Sequence, residues 1–401
     1  MADEKLITVK IEKFNNKYLG VGRHEGKKVL VPAALPGEKI ECKILKEWKS
    51  KIIAIPENII KADEQRAKPD CKHFKLCAGC QFQHMSYESQ LKLKKERAFK
   101  FLERQNPEFC TLFEKIIPSP TPYHYRNTIK LHGPGEPGFW KVGGIEILQN
   151  TECPVCIDVV EDKLAELREE HFEKYMQQDI NNVMIRGSSC GEVYVGSEQI
   201  AETETKWLNE EITDPFSKEP TRLMVPAHAF WQGSTPMIGR LIEEVAIPVG
   251  EHKPDVLIET YCGVGAFSLF SASKAKNVIA IEENPLSVEA ARKNKKNLGL
   301  DNMRVIAGKT ENELDKLLER TPEEGTSLIV DPPRSGLQKK VLKQILANPP
   351  RQLIYVSCNP DSLSRNLAAL CDKSYRLKRI RGLDLFPQTK HLECVAVLER
   401  I

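Results

Sequence analysis

The sequence predicts a multidomain α/β protein. It has a small N-terminal β-barrel of OB type, a central α+β region, and a C-terminal Rossmann-like, doubly wound domain. Three observations predict this. Short strand-like runs separated by glycine and proline fill residues 6–54. Cysteines cluster at Cys71, Cys77 and Cys80, with Cys153 and Cys156 further on. From Pro254, apolar strand-like runs alternate with helix-like segments, the pattern of a mostly parallel sheet covered on both faces. The boundaries read as 1–57, 58–225 and 226–401.

In the first unit, Leu6–Ile11, Lys28–Pro32, Lys39–Ile44 and Ser50–Ala54 read as strands. Gly20-Val21-Gly22 and Pro36-Gly37 read as turns. Short strands, glycine turns and many lysines fit a five-stranded barrel that binds RNA. A generic barrel with a solvated lysine face fits them as well. Residues 55–85 read as a polar connector. Ser86–Glu103 reads as an amphipathic helix whose Lys92, Lys94, Lys95, Arg97 and Lys100 form a solvated face. Residues 105–225 yield only strand-like pieces among glycine and proline turns. Beyond them, strands are expected at Val256–Glu259, Asn277–Ile281, Met303–Ala307, Ser327–Val330 and Gln352–Val356. Tyr375–Leu383 and Glu393–Leu398 form a final pair.

A chain of 401 residues has room for two or three domains. At 41% hydrophobic and 29% charged it reads as an ordinary soluble protein. A net charge of +3 permits a nucleic-acid partner without demanding one. Met1-Ala2-Asp3-Glu4-Lys5 has no signal-peptide character, and no apolar run is long enough to span a bilayer. Twelve cysteines in that setting point to a reducing, cytoplasmic compartment. There they serve as ligands, nucleophiles or small core residues.

Chemistry concentrates at the expected strand ends, where doubly wound sheets bind ligands. Glu259-Thr260-Tyr261-Cys262-Gly263-Val264-Gly265 turns from strand to helix, and Gly263 and Gly265 let a ligand approach the backbone. Ser268 stands where a dinucleotide fingerprint has its third glycine, which favours S-adenosylmethionine over NAD. Glu282, ending the next strand, is placed to accept ribose hydroxyls. Asp331-Pro332-Pro333-Arg334 ends another strand. Arg334, where base N-methylating enzymes carry an aromatic, argues against N-methylation. Cys358, in Tyr355-Val356-Ser357-Cys358-Asn359-Pro360, follows an apolar run and reads as a nucleophile. Glu393 reads as its partner base. Thiolate addition to C6 of uracil would make C5 nucleophilic enough to take a methyl group, and a base would then remove the C5 proton. Cys71, Cys77 and Cys80 with a remote fourth thiol suit an iron–sulfur cluster. Cys77 and Cys80 with Cys153 and Cys156 would suit zinc.

Together these residues resemble the RNA uracil-C5-methyltransferase family, closest to its iron–sulfur branch acting on 23S ribosomal RNA. The resemblance covers nearly the whole chain. Residues 6–54, with Val31-Pro32-Ala33-Ala34-Leu35-Pro36-Gly37-Glu38, look like the family's TRAM domain. The C-terminal unit looks like its class I methyltransferase domain. The resemblance implies a [4Fe–4S] cluster on Cys71, Cys77, Cys80 and Cys153, with Cys156 a bystander. It implies S-adenosylmethionine on Gln232, Tyr261, Glu282 and Asp331, Cys358 as nucleophile and Glu393 as proton acceptor. Departures stand at Ala78, Ser234, Ala266 and Lys309. The RNA is expected to be 23S ribosomal RNA, or alternatively the transfer-RNA T-loop. A non-catalytic RNA-binding protein is the alternative of another class. Lys92, Lys95, Arg376, Lys378, Arg379 and Arg381 are expected on phosphates, Arg126 near the target nucleotide, and the chain as a monomer.

Overall fold

Alternating burial builds the N-terminal unit. In β1 (Leu6–Lys10), Ile7 and Val9 are buried and their neighbours exposed. β2 (Lys13–Phe14), β3 (Gly20–His24), β4 (Lys27–Val31), β5 (Lys39–Glu47) and β6 (Lys51–Lys61) complete a six-stranded sheet ordered β1-β5-β6-β4-β3-β2. The expected turn at Gly20-Val21-Gly22 is instead strand β3. Its glycines are there because the chain packs close on both: Ala34 and Ile11 on Gly20, and β1 on Gly22. A Cβ on Gly22 would lie 2.4 Å from the Lys10 carbonyl oxygen and from Val9 Cγ1. β6 also runs into the expected connector. Buried Glu38 ties this unit to the segment after β6, accepting from Leu35 N (2.7 Å) and from the Arg66 guanidinium.

The computed structural model describes residues 5–133, 136–142, 144, 146–172, 182–197 and 205–401. Met1–Glu4, part of the segment read as lacking leader character, lie outside the described residues. Among the described residues no helix is long and apolar enough to cross a membrane.

α1 (Tyr87–Gln105) starts at Ser86, whose hydroxyl accepts from Ser89 N at 3.3 Å. After α2 (Glu108–Thr111) and β7 (Phe113–Ile117), the chain builds a smaller layer. β8 (Thr128–His132), β11 (Asn182–Gly187) and β12 (Val193–Gly196) pair in the order β12-β11-β8, and β9 (Phe139–Trp140) pairs with β10 (Ile147–Leu148). α3 (Asp158–Glu169) buries Val160, Leu164 and Leu167 against Ile129, Leu131, Val183 and Ile185. β13 (Trp207–Thr213) and β14 (Pro220–Pro226) form a hairpin leading into α4 (Thr235–His252).

The C-terminal sheet alternates strand and helix as expected. Its elements are β15 (Val256–Thr260), α5 (Ala266–Ser271), β16 (Asn277–Glu282), α6 (Pro285–Asn297), β17 (Met303–Ala307), α7 (Thr310–Leu318), β18 (Thr326–Val330), α8 (Lys339–Ala347), β19 (Gln352–Ser357), α9 (Pro360–Cys371), β20 (Tyr375–Leu383) and β21 (Glu393–Arg400). The order is β17-β16-β15-β18-β19-β21-β20-β7. β15 to β19 are parallel, and β21 runs antiparallel to both neighbours. Strand order reverses between β15 and β18, where such sheets open a ligand crevice.

Two features depart from the sequence reading. β7, from the segment read as the central unit, is the eighth strand of this sheet, parallel to β20. α1 does not present all its lysines to solvent. Gln90, Lys94, Ala98 and Leu102 recur every fourth residue and are buried. Ala98 and Leu102 join the core of the C-terminal sheet. Lys94, 2% exposed, donates to Asp384 Oδ1 at 2.5 Å and to the Phe386 carbonyl at 2.9 Å. Tyr87 donates to the other Asp384 oxygen at 3.0 Å. Burial lowers the Lys94 pKa and raises that of Asp384. Each charge is therefore retained because the other is present.

Lys94→Met leaves a buried, unpaired carboxylate. It should destabilise the protein by about 3–5 kcal/mol in urea unfolding, and Lys94→Met with Asp384→Leu should recover a large part of that loss.

Candidate active site

The loop after β15 is wound tightly: Tyr261 (φ +59°), Gly263 (+56°) and Gly265 (+84°) all lie in the left-handed region. Such backbone disfavours a side chain at Tyr261 and suits glycine at the other two. Glu282, at the end of β16, accepts from Gly263 N (2.9 Å) and Asn284 N (2.7 Å), strapping the loop to its neighbouring strand. Beneath it Glu259, 1% exposed, accepts from Ser268 N at 2.7 Å in the first turn of α5. Burial pushes the Glu259 carboxyl up to about 8. Sequence reasoning missed Glu259, although an acid on the strand just before a glycine loop is a readable signal.

Gln232, Tyr261, Gly263 and Asp331 line one pocket of about 40 Å3, walled by Trp231, Val264 and Phe267. Phe230 stands 70% exposed at its edge. Asn127 Nδ2 donates to the Gln232 carbonyl at 2.9 Å and fixes that segment. Glu282 reaches the loop rather than the pocket wall. Gly265 serves helix entry: a Cβ there would meet Ala291 Cβ at 3.4 Å and Met303 Cε at 3.5 Å.

Cys358 follows the last residue of β19. Ser357 pairs with Cys394, so the next step of the antiparallel register sets Cys358 opposite Glu393. Asn359 caps α9 through Asp361 N and donates to the Arg334 carbonyl at 2.9 Å, joining the Cys358 turn to the loop after Asp331. Burial pushes the Cys358 thiol up to about 11. The Glu393 and Asp331 carboxylates add to the rise, and the adjacent Arg334 guanidinium opposes it. Burial likewise raises Glu393 well above the carboxylate range, helped by Asp331 and opposed by Arg334. Burial also raises Asp331. Like charges in a dry pocket do not all ionise together. From the sequence, Arg334 spoke only against N-methylation, whereas the fold sets its charge beside the thiol.

Cys71, Cys77, Cys80 and Cys153 come together from two distant segments to line a cavity of about 220 Å3. Among the described residues no three His, Cys, Asp or Glu side chains close on a single metal ion. Cys156 is buried outside the cavity lining. Burial pushes Cys71 up to about 11 and Cys80 up to about 12, each raised further by the neighbouring thiols. Arg126, expected near a target nucleotide, lines this cavity and donates to the Thr128 carbonyl at 2.9 Å.

A larger cleft of about 1000 Å3 runs from the N-terminal sheet past Cys80 and Gln81 to Lys390. Lys13, Lys17, Lys28, Lys51, Lys100 and Lys390 line it with Phe14 and Tyr18, and among the described residues no Asp or Glu lines it. The expected phosphate contacts divide. Lys92, Lys95 and Arg376 are exposed. Lys378 pairs with Glu399 at 3.3 Å. Arg379 pairs with buried Glu244 at 3.1 Å, and Arg381 pairs with Glu114 and lies 3.7 Å from Glu244.

Residues 221–401 match the family described as tRNA (Uracil-5-)-methyltransferase, and residues 5–47 match the TRAM domain. An uncharacterized RNA methyltransferase of Clostridium acetobutylicum is 28% identical, covering 99% of both chains. Another, from Caldanaerobacter subterraneus subsp. tengcongensis, is 27% identical, covering 100% of both. The crystal structure of Pyrococcus abyssi tRNA (uracil-54, C5)-methyltransferase in complex with S-adenosyl-L-homocysteine shares the fold. Its TM-score is 0.72 at 24% identity, covering 98% of this chain and 100% of that one.

The raised thiol gives a direct test. Alkylation of Cys358 by iodoacetamide, followed by peptide mass spectrometry, should be slow at neutral pH and climb about tenfold per pH unit toward about 11. Arg334→Leu should slow it further at each pH. A plateau near about 8.5, the value of a free cysteine, would contradict this.

Proposed function

We propose that this chain, which belongs to the tRNA (uracil-5-)-methyltransferase family through residues 221–401, makes 5-methyluridine in RNA by covalent catalysis at Cys358. It is an S-adenosylmethionine-dependent RNA methyltransferase. The observation that carries the covalent reading is the placement of Cys358 opposite Glu393, beside the pocket that Asp331 lines.

The Cys358 thiolate forms a bond to C6 of the target uracil, and the ring electrons move toward O4 and C5. C5 then attacks the sulfonium methyl group, and S-adenosylhomocysteine leaves. The Glu393 carboxylate takes the C5 proton. The electron pair of that C–H bond rebuilds C5=C6, and the thiolate is expelled. Gln232, Tyr261, Gly263 and Asp331 hold the methyl donor, Glu282 takes its ribose hydroxyls, and Gly265 shapes the loop. Arg334 stabilises the thiolate against burial and against two nearby carboxylates. The uracil reaches Cys358 only when unstacked, so the target lies in a loop or is flipped from a helix. The lysine-lined cleft with Phe14 and Tyr18 supports an RNA path to this point, since it joins backbone-neutralising charge to rings that bases stack on.

Cys71, Cys77, Cys80 and Cys153 fit a [4Fe–4S] cluster. Four thiols lining one cavity are the donor set that such a cluster would take. Bound there, the cluster would supply iron–thiolate bonds that pin the 71–80 segment to the 153 segment. Methyl transfer itself moves no electron to or from a metal. This cysteine set supports 23S ribosomal RNA as the target. A second reading, the same chemistry on a transfer-RNA uridine, is favoured by the likeness in fold to the Pyrococcus abyssi enzyme.

RNA carrying 5-fluorouridine tests the mechanism, because fluorine cannot leave as a proton. With S-adenosylmethionine, the protein should form a methylated covalent adduct that survives a denaturing gel, and Cys358→Ala should form none. An adduct that persists in Cys358→Ala would overturn the assignment. Site-resolved mass spectrometry of both RNAs after incubation should find new 5-methyluridine in 23S ribosomal RNA. A methyl group appearing only in transfer RNA would select the second reading.

A further inference from the structure

Glu393 opens β21, and its register partner Leu383 closes β20. Between them, residues 384–392 loop out over the active-site edge of the sheet. Most anchors of this loop come from residues 81–125 rather than from the C-terminal sheet. Gln388 is at its centre, 3% exposed and with φ at +63°. Left-handed backbone is unusual for a residue with a Cβ, so something must hold it.

Five hydrogen bonds do so. Gln90 Nε2 donates to Gln388 Oε1 at 2.9 Å, and Gln388 N donates to Gln90 Oε1 at 2.9 Å. Gln388 Nε2 donates to the Pro122 carbonyl at 3.3 Å. The Gln388 carbonyl accepts from Gln81 N at 2.8 Å and from Phe82 N at 2.9 Å. Gln81 and Phe82 directly follow Cys80, and Thr389 lines the cysteine cavity itself. The cysteine segment and the loop entering Glu393 are thus joined chiefly through Gln388, to which Lys390 N adds a bond to Gln81 Oε1 at 3.4 Å.

We propose that Gln388 is a positioning residue that couples the Cys71–Cys80 segment to the aim of Glu393. The inference rests on the reading of Glu393 as proton acceptor. Cys358 is held from β19 and α9, and the Gln388 hydrogen bonds described above go instead to Gln81, Phe82, Gln90 and Pro122. Disturbing Gln388 therefore leaves thiolate addition and methyl transfer in place and slows removal of the C5 proton. A shift of about 1 Å is enough to cost about 10²-fold in such a step.

The test compares the full-length protein with Gln388→Ala, Gln90→Leu and Glu393→Gln on ordinary uridine RNA with S-adenosylmethionine. Gln388→Ala and Gln90→Leu should accumulate a methylated covalent complex on denaturing gels and lose about 10²-fold in turnover. Both should show a larger isotope effect from deuterium at C5 than the native protein. Hydrogen exchange supplies a readout independent of activity. Peptides covering 384–391 should exchange faster in Gln388→Ala, and also in Cys80→Ser, whose iron and sulfide content is measured in parallel. A proportional fall in complex formation and release, with the isotope effect unchanged, would overturn the inference. So would native exchange of 384–391 in a Cys80→Ser protein that has lost its iron. Release of product at the native rate by Glu393→Gln would instead overturn the assignment of Glu393, and the exchange comparison is not affected by that failure.

Discussion

Antiparallel pairing of β19 with β21 brings two kinds of strand end to one edge of the sheet. In a parallel sheet every carboxyl end faces the same way, and Cys358 arrives there from β19 together with Tyr261, Glu282 and Asp331 from their own strands. β21 runs the other way, so its amino end comes to that edge and Glu393 is its first residue. The register then decides the geometry, because a one-residue slip would turn Glu393 to the opposite face of the sheet. Buried apolar side chains on both faces of β19 and β21 oppose such a slip.

Burial dominates the electrostatics of this edge. It is the largest influence on Cys358, on Glu393 and on Asp331, and in each it favours the uncharged form. The Arg334 guanidinium opposes it only in part. The arrangement keeps a thiol and two carboxyls from ionising together, and makes their protonation responsive to whatever charge enters. In the proposed mechanism, a uracil that accepts the sulfur's electron pair, and a methyl group that then neutralises the ring, would change the field on Glu393 in sequence.

Much of this was legible in the sequence because it is local. The strand–helix alternation after Pro254, the glycine loop at 261–265, the acids at 282 and 331 and the cysteine after an apolar strand all carry their signal within a few residues. What was illegible depends on neighbours distant in sequence. Gly20 and Gly22 look like a turn until Ala34 is seen packed on the first and β1 on the second. Lys94 looks like one more solvated lysine until Asp384 meets it in the core. Arg379 and Arg381 look free for phosphate until Glu244 meets the first and Glu114 the second. Arg334 acquires its role only when β18 and β19 lie side by side. The residue spacing left an iron–sulfur and a zinc grouping of the cysteines open; the fold sets Cys71, Cys77, Cys80 and Cys153 around one cavity, with Cys156 against Cys153.

The strand β7 has a consequence for how the chain survives its own synthesis. It pairs Ile116 with Gly382, covering the outer edge of β20 with a segment made long before it. On the ribosome, residues 113–117 emerge first and wait for their partner, so the sheet closes only when translation is nearly finished. A catalytic half separated from the preceding segment would expose the β20 edge, with its unpaired amides open to strands of other molecules. β7 itself exposes Lys115 and Glu114, the latter paired with Arg381, and charges on a short border strand discourage that kind of stacking. The upstream region therefore acts as a built-in guard against aggregation as well as a contributor to the fold.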